Sequence, residues 1–527
     1  MQTAPGESPD PSPPQSSAVG EKGLKDGALG LVSSVAIGLA STAPAYSLAA
    51  TLGFIVLAVG LQSPIVVMLG FIPMLFIAYG YKAMNAVDPD CGTTFTWSAR
   101  AFGPHTAWMG GWGIIIADII VMANLAQIAG QYGFQLIGAD GLAASRWWTA
   151  LAGVIWIAVM TAICYVGIEI SAALQKWLLS IELVLLAVLS VWALVKVYGD
   201  NAPAESLHVD ASWFNPFEIG SASALTQGVL LAVFIYWGWD TAVSVNEETA
   251  DRERTPGRAA VISTVLLLLI YILVTTSAQA FAGIGEKGIG LANPDNAGDV
   301  LGSFGDQVFG TEGFGGFLAN LLILMVLTSA AASTQTTILP TARTSFSMAT
   351  HKALPSVFAR VHPRFLTPTW STVVMGLVSI AFYAGLTAIS ENVLGDSVDS
   401  VGLGIAFYYG LTGFACVWYF RKVLTRSASD LWLKGILPGL GGLILLGLFC
   451  YAAFSVYADP EYGSTVIDLP VFGETGGVSV IGVGALVIGA VLMFIQRAVQ
   501  GTWFRNPDVP VSVASKDDPK QAAPPAS

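Results

Sequence analysis

The chain has 527 residues, of which 54% are hydrophobic and only 11% charged, with a formal net charge of −12 and a mean hydropathy of +0.67. A soluble chain carries about a quarter charged residues, so this composition excludes an ordinary soluble domain and implies a polytopic membrane protein. The acidic balance argues against a nucleic-acid partner.

A crossing helix needs roughly 20 apolar residues to span about 30 Å of hydrocarbon. In chain order the sequence predicts twelve: Ala28–Val59, Pro64–Ala86, Thr106–Ile137, Trp147–Val166, Ile170–Val197, Ala224–Thr249, Ala259–Gly283, Gly313–Met348, Ser371–Ala388, Val401–Trp418, Leu437–Tyr457 and Val478–Phe494. Several exceed one straight crossing, which predicts tilt or extension beyond the lipid. With the N-terminus inside, all of the 23 Lys and Arg except Arg146, Lys196 and Lys287 fall on the inner side. The positive-inside rule then places both termini in the cytosol, at the plasma membrane. Residues 1–22 and 501–527 read as disordered tails, and the first twenty lack the basic and apolar segments of a signal peptide. Cys91, Cys164, Cys416 and Cys450 form no CxxC pair, which predicts neither a disulfide framework nor a metal cluster. His105, His208, His351 and His362 fall in loops or at helix ends. No phosphate-cradling motif occurs, and no cofactor is implied.

Two predicted spans interrupt themselves. The first reads Ala40-Ser41-Thr42-Ala43-Pro44, where Pro44 removes a donor and opens the helix over Ala40 to Ala43. The sixth passes from an apolar run into Tyr236-Trp237-Gly238-Trp239-Asp240. Backbone freed at membrane depth is tolerated only where protein or a watery cavity satisfies it. Each interruption alone also fits a simple kink. Together they occupy corresponding positions if spans one to five and six to ten are inverted halves, the arrangement that marks a midplane site in secondary transporters.

Several motifs follow in a fixed order. Pro89-Asp90-Cys91-Gly92-Thr93-Thr94-Phe95-Thr96-Trp97, Ala101-Phe102-Gly103-Pro104 and Gly111-Trp112 precede or open the third span. Gly238-Trp239-Asp240, Glu247-Glu248 and Thr255-Pro256 follow the sixth interruption, with Gln175, Arg343, Leu354-Pro355 and Thr367-Pro368 elsewhere. Over about Gly23 to Trp432 the chain resembles the amino acid–polyamine–organocation transporters. It departs from the family pattern at Thr93, where a second Gly is usual, and at Phe95, where Tyr is usual. In the first span it carries Ala-Ser-Thr-Ala in place of a Gly-Ser-Gly-like run.

The resemblance implies an all-α polytopic protein with a five-plus-five inverted repeat, helices 1 and 6 broken, and two extra C-terminal helices. The first repeat would cover 23–197, the second 198–430 and the extra helices 431–500. It also implies a small substrate, an amino acid or a polyamine. The substrate carboxylate would meet free N–H groups at Ala40, Ser41, Thr42 and Ala43 and the positive helix end there. Its ammonium would meet free carbonyls at Phe234, Ile235, Tyr236 and Trp237. By alignment with the family, Phe234 falls at the aromatic gate over the substrate.

Ionisable groups at membrane depth are functional candidates. Glu182 sits in the apolar run IELVLLAVL, where aligned relatives carry lysine beside the site that holds sodium in sodium-coupled members, and Ser329 aligns close by. A proton-coupling carboxyl and a structural carboxylate both fit Glu182. Asp240 either senses protons, holds an ammonium, or caps the second half-helix. Asp118 fits a packing hydrogen bond and receives no role. The reading is a secondary transporter for amino acids or related amines, coupled to protons, with sodium as the alternative coupling ion. An exchanger, a membrane receptor and a membrane-embedded enzyme are the alternatives. The enzyme lacks a nucleophile–base pair at depth, and the receptor lacks a signalling domain.

Overall fold

A computed structural model describes residues 22–200, 202–294, 296–310, 312–389, 393–460 and 465–505. The predicted disordered tails, 1–22 and 501–527, lie outside the described residues except for Lys22 and 501–505. Gly501–Arg505 is a short helix with Trp503 and Phe504 buried, so the ordered chain runs past the predicted start of the C-terminal tail.

The first interruption separates α1, Leu31–Thr42, from α2, Pro44–Val59. Then come α3, Ser63–Val87, the short α4, Thr94–Phe102, and α5, Pro104–Leu136. Next are α6, Arg146–Val166, and α7, Ile168–Val197. The second interruption separates α8, Ala222–Tyr236, from the single turn α9, Thr241–Ser244. Beyond it run α10, Thr255–Ala282, α11, Val300–Phe309, α12, Gly313–Thr350, α13, Thr369–Ile389, α14, Val393–Phe420, α15, Leu437–Tyr451, and α16, Gly477–Val499. Among the described residues, ten helical stretches are long and apolar enough to cross a membrane, the first of them, Leu31–Val87, containing α1, α2 and α3, and Ala222–Tyr236 is a shorter apolar helix.

Prolines and glycines punctuate these helices as local chemistry requires. Pro44 and Pro104 stand at the first helical position, where the missing N–H has no intrahelical partner to lose. The first lies behind Ala43 in left-handed backbone, the second behind Gly103 at φ 89°. The polarity of the molecule is inverted. Trp147, Val184, Leu377 and Val499 are exposed, while Ser34, Ser63, Thr94, Asn124, Thr264 and Thr336 are fully enclosed. Lipid solvates the apolar outside, while Ser63, Thr94 and Asn124 pair with Gln279, Thr412 and Ser397 on other helices, and Thr264 and Thr336 donate to carbonyls of their own helices.

Among the described residues the fold is nearly all helical, as expected, with one small hairpin in which Val466–Leu469 pairs antiparallel with Gly473–Gly476. One predicted boundary is corrected. The helix predicted to begin at Val401 begins at Val393. Its polar residues resemble a loop locally, yet Asp396 accepts a hydrogen bond from Thr465 Oγ1 and Asp399 one from Tyr457 Oη at 3.4 Å. Partners far along the chain allow a polar segment to remain helical. At the centre, α5 packs against α12, α14, α6 and α4, while α1 lies among α7, α10 and α12.

Candidate functional site

The first interruption is narrower than the sequence suggests. The helix does not open over Ala40 to Ala43: α1 continues through Thr42 and only Ala43 leaves it, at φ 46° and ψ 71°. The Ala43 N–H still donates to Leu39 O at 3.1 Å. Pro44 can act only on the carbonyl behind it, so the donors set free are those that open α2. These already have partners. Ala45 N–H donates to Glu182 Oε1 at 2.7 Å, and Tyr46 N–H to Ser329 Oγ at 3.4 Å. Ser329 Oγ also donates to Glu182 Oε1 at 2.8 Å. The two residues paired from sequence therefore meet, and they meet at the broken helix itself. A carboxylate at the start of a helix is favoured by the helix dipole.

The second interruption lies against the first. Gly238 has φ 118°, and a Cβ added there would lie 2.8 Å from Ser41 C and 2.9 Å from Thr42 N. Only glycine tolerates both that backbone and that approach. Gly238→Ala is expected to cost about 1–3 kcal/mol from backbone strain alone. Thermal melting of the purified protein measures this, and a wild-type melting temperature would contradict the close approach.

Hydroxyls stitch the two breaks together. Pro340 lies inside α12 and has no N–H for the carbonyl of Thr336, and Thr241 Oγ1 donates to that carbonyl at 3.3 Å. Ser41 Oγ lies 2.9 Å from Thr241 Oγ1, so Ser41 is the donor of that pair. Ser333 Oγ donates to Ser41 O at 2.9 Å, Ser47 Oγ to Thr42 O at 2.5 Å, and Thr42 Oγ1 to Leu39 O at 2.7 Å.

The four carbonyls expected to be free in the sixth span divide into two pairs. Phe234 O accepts from Trp237 N–H at 3.0 Å and Ile235 O from Tyr271 Oη at 2.5 Å, which corrects the expectation for those two. Among the described residues, the carbonyls of Tyr236 and Trp237 have no hydrogen-bond donor. Phe234 is buried. Tyr271 also lies beside Thr42 and Ser47, so one phenol from α10 touches both interruptions.

Asp240 does not cap α9 through its side chain. Its carboxylate instead accepts from Tyr409 Oη at 2.9 Å and from Tyr408 Oη at 3.0 Å, and Tyr408 Oη accepts from Trp237 Nε1. Tyr81 packs edge to face on both Trp239 and Tyr409, and those two rings tilt against each other at 35°, with ring centroids 5.1 to 5.6 Å apart. Asp118 accepts from Thr341 Oγ1, the packing bond expected of it. The sequence reading missed Tyr271, Ser333, Thr241, Tyr408 and Tyr409. A tyrosine pair in an apolar run is the one local signal, and it does not say which way the hydroxyls face.

At one face of the bundle a charged latch joins the loops. Arg343 is bidentate to Glu248, at 2.7 and 2.9 Å. Lys22 Nζ lies 2.7 Å from both Asp90 and Glu247, and Asp90 also accepts from Ser347 Oγ at 2.7 Å and meets His351 Nε2 at 3.0 Å. The ligand atoms of Asp90, Cys91 and Glu247 lie within 4.8 Å of one another, and the Lys22 ammonium supplies the cation there. A cavity of about 590 Å³ opens beside this latch, lined by Lys22, Asp26, Glu247 and Arg252 among others. It includes none of the residues at the two breaks.

Burial pushes the Asp90 carboxyl up, but Lys22 and His351 hold it well below the usual carboxylate range. Burial pushes Lys22 down, but Asp90 and Glu247 hold it well above the usual lysine range. The Asp90 contribution to stability is present above the unfolded value of about 3.9 and is lost as pH falls through the lower folded value. The Lys22 contribution is present below about 10.4 and is lost as pH rises through the higher folded value. Near neutrality this pair is insensitive to pH.

The comparisons with known proteins agree with this architecture. The amino acid permease family matches residues 28–500. An uncharacterized transporter of Mycobacterium tuberculosis is 26% identical over 90% of this chain and 93% of its own. The methylthioribose transporter of Bacillus subtilis is 23% identical over 67% of this chain and 72% of its own. The low-affinity putrescine importer PlaP of Escherichia coli is 23% identical over 72% of this chain and 78% of its own. A family match across nearly the whole chain, on a bundle with two helix breaks in contact, makes this protein an integral membrane transporter of the amino acid permease family, within the amino acid–polyamine–organocation superfamily.

Proposed function

We propose that this protein is a secondary active transporter that moves amino acids or related amines across the plasma membrane by alternating access, coupled to protons. The observation that carries this reading is the contact between the two interruptions, where Gly238 lies against Ser41 and Thr42. Two half-helices meeting at membrane depth bring polar backbone to one place. The solute lies between Ala40–Ala43 and Phe234–Trp237, with Phe234 as its gate. Glu182, Ser329 and Asp240 handle the coupling proton. Residues 23–197 and 198–430 act as two inverted halves, 431–500 adds accessory helices, and both termini face the cytosol together with the latch. A putrescine importer and a cationic amino acid transporter among the relatives support a nitrogenous solute.

The test is uptake of labelled amino acids and amines into proteoliposomes, with and without an inward pH gradient. Uptake above that of protein-free vesicles, rising with the gradient, is expected. No uptake of any of them would overturn the reading. Phe234→Ala is expected to raise the apparent KM several-fold and to lower uptake. Wild-type kinetics in a correctly inserted variant would remove Phe234 from the gate.

A further inference from the structure

We propose that the solute recognised between the two breaks is an organic cation without a carboxylate, an amine or diamine, rather than an α-amino acid. This rests on the transporter reading above and narrows its substrate class. The argument begins with the donors. An α-amino acid needs a place for its carboxylate, and the free N–H groups that start α2 are the natural one. That place is filled by the protein's own carboxylate, since Ala45 N–H and Ser329 Oγ both donate to Glu182 Oε1, at 2.7 and 2.8 Å. Tyr46 N–H is directed to Ser329 Oγ, the Ser41 hydroxyl to Thr241, and the Thr42 hydroxyl to Leu39 O. A second carboxylate would displace these bonds and stand beside a like charge.

At the second break acceptors remain open for a ligand. The carbonyls of Tyr236 and Trp237 have no donor among the described residues, and neither has the fully buried Tyr236 hydroxyl. The Trp239 indole N–H is also without a partner, and among the described residues so are the backbone N–H groups of Gly238 and Trp239. The side-chain donors to Asp240 among the described residues are the two tyrosines. Among the described residues, Asp118, Glu182 and Asp240 form no ion pair with a basic side chain and accept only from hydroxyls and backbone N–H. An ammonium is the complementary group, with three donors and no acceptor. Tyr236 and Trp237 add aromatic faces to which a cation is attracted.

Two pairs of probes differ only by the carboxylate: agmatine against arginine, and cadaverine against lysine. The full-length protein in proteoliposomes is expected to take up each amine at least ten-fold better than its parent amino acid. Each amine is also expected to raise the melting temperature of the purified protein where the amino acid does not. Glu182→Gln keeps an acceptor for Ala45 and removes the resident negative charge, so the amine-to-amino-acid ratio is expected to fall several-fold. Equal or better handling of arginine and lysine would overturn the proposal. Transport of neutral amino acids without any of the amines would overturn it too, while leaving the transporter reading intact. Amines that bind but do not cross would uphold this substrate class and overturn the transport reading. A protein that neither binds nor moves any probe or amino acid would overturn both.

Discussion

Glu182→Gln is expected to abolish accumulation driven by a pH gradient while sparing exchange of labelled for unlabelled solute. The carboxyl sits at the first helix break, with Ala45 N–H and Ser329 Oγ donating to Oε1 at 2.7 and 2.8 Å. A glutamine retains an oxygen at that position, so the half-helix stays capped. It has no proton to release when the site opens to the other side. One proton charge moving inward at 100 mV supplies about 2.3 kcal/mol, roughly fifty-fold accumulation if fully coupled. The variant's accumulation ratio is therefore expected to fall from that order to about one, while its exchange rate stays within a few-fold of wild type. Accumulation equal to wild type would make Glu182 a purely structural cap and pass the coupling role to Asp240. A requirement for sodium with no response to pH would remove protons from both residues.

Arg343→Met is expected to destabilise the protein by about 3–5 kcal/mol, because it leaves Glu248 buried without its partner. The two side chains are 2% and 1% exposed, so water cannot take over the solvation of either charge. The loss extends to the chain around them, since Leu29 N–H donates to Glu248 O at 3.1 Å and Ala250 N–H to Leu29 O at 2.8 Å. Those bonds fix the approach to α1 and so the first half of the site. Removing both charges, as Arg343→Met with Glu248→Met, is expected to cost less than either single change, because no unpaired ion remains. Thermal melting of the four proteins in one detergent provides the cycle. A double variant as unstable as the two single changes added together would show that the pair acts through packing rather than charge.

The sequence by itself determined the helices and the interruptions. Apolar runs long enough to cross lipid have few alternative structures, and Pro44 and Gly238 act on the backbone at their own positions. The identity of Glu182 as an isolated acid in an apolar run was equally visible, and alignment with relatives already paired it with Ser329.

Tertiary structure decided which backbone groups at the breaks remain available. Ala43 alone leaves α1 because the residues before it keep their helical bonds, and the donors after it are met by Glu182 and Ser329 from two other helices. Asp240 faces Tyr408 and Tyr409 instead of its own half-helix, and Thr336 receives Thr241 because Pro340 left its carbonyl open. The polar start of α14 stays helical for a similar reason, with Thr465 and Tyr457 answering Asp396 and Asp399. In each case the deciding bond joins residues far apart in the chain. Local propensity can state that a polar group needs a partner inside the membrane, but only the packing of helices supplies one.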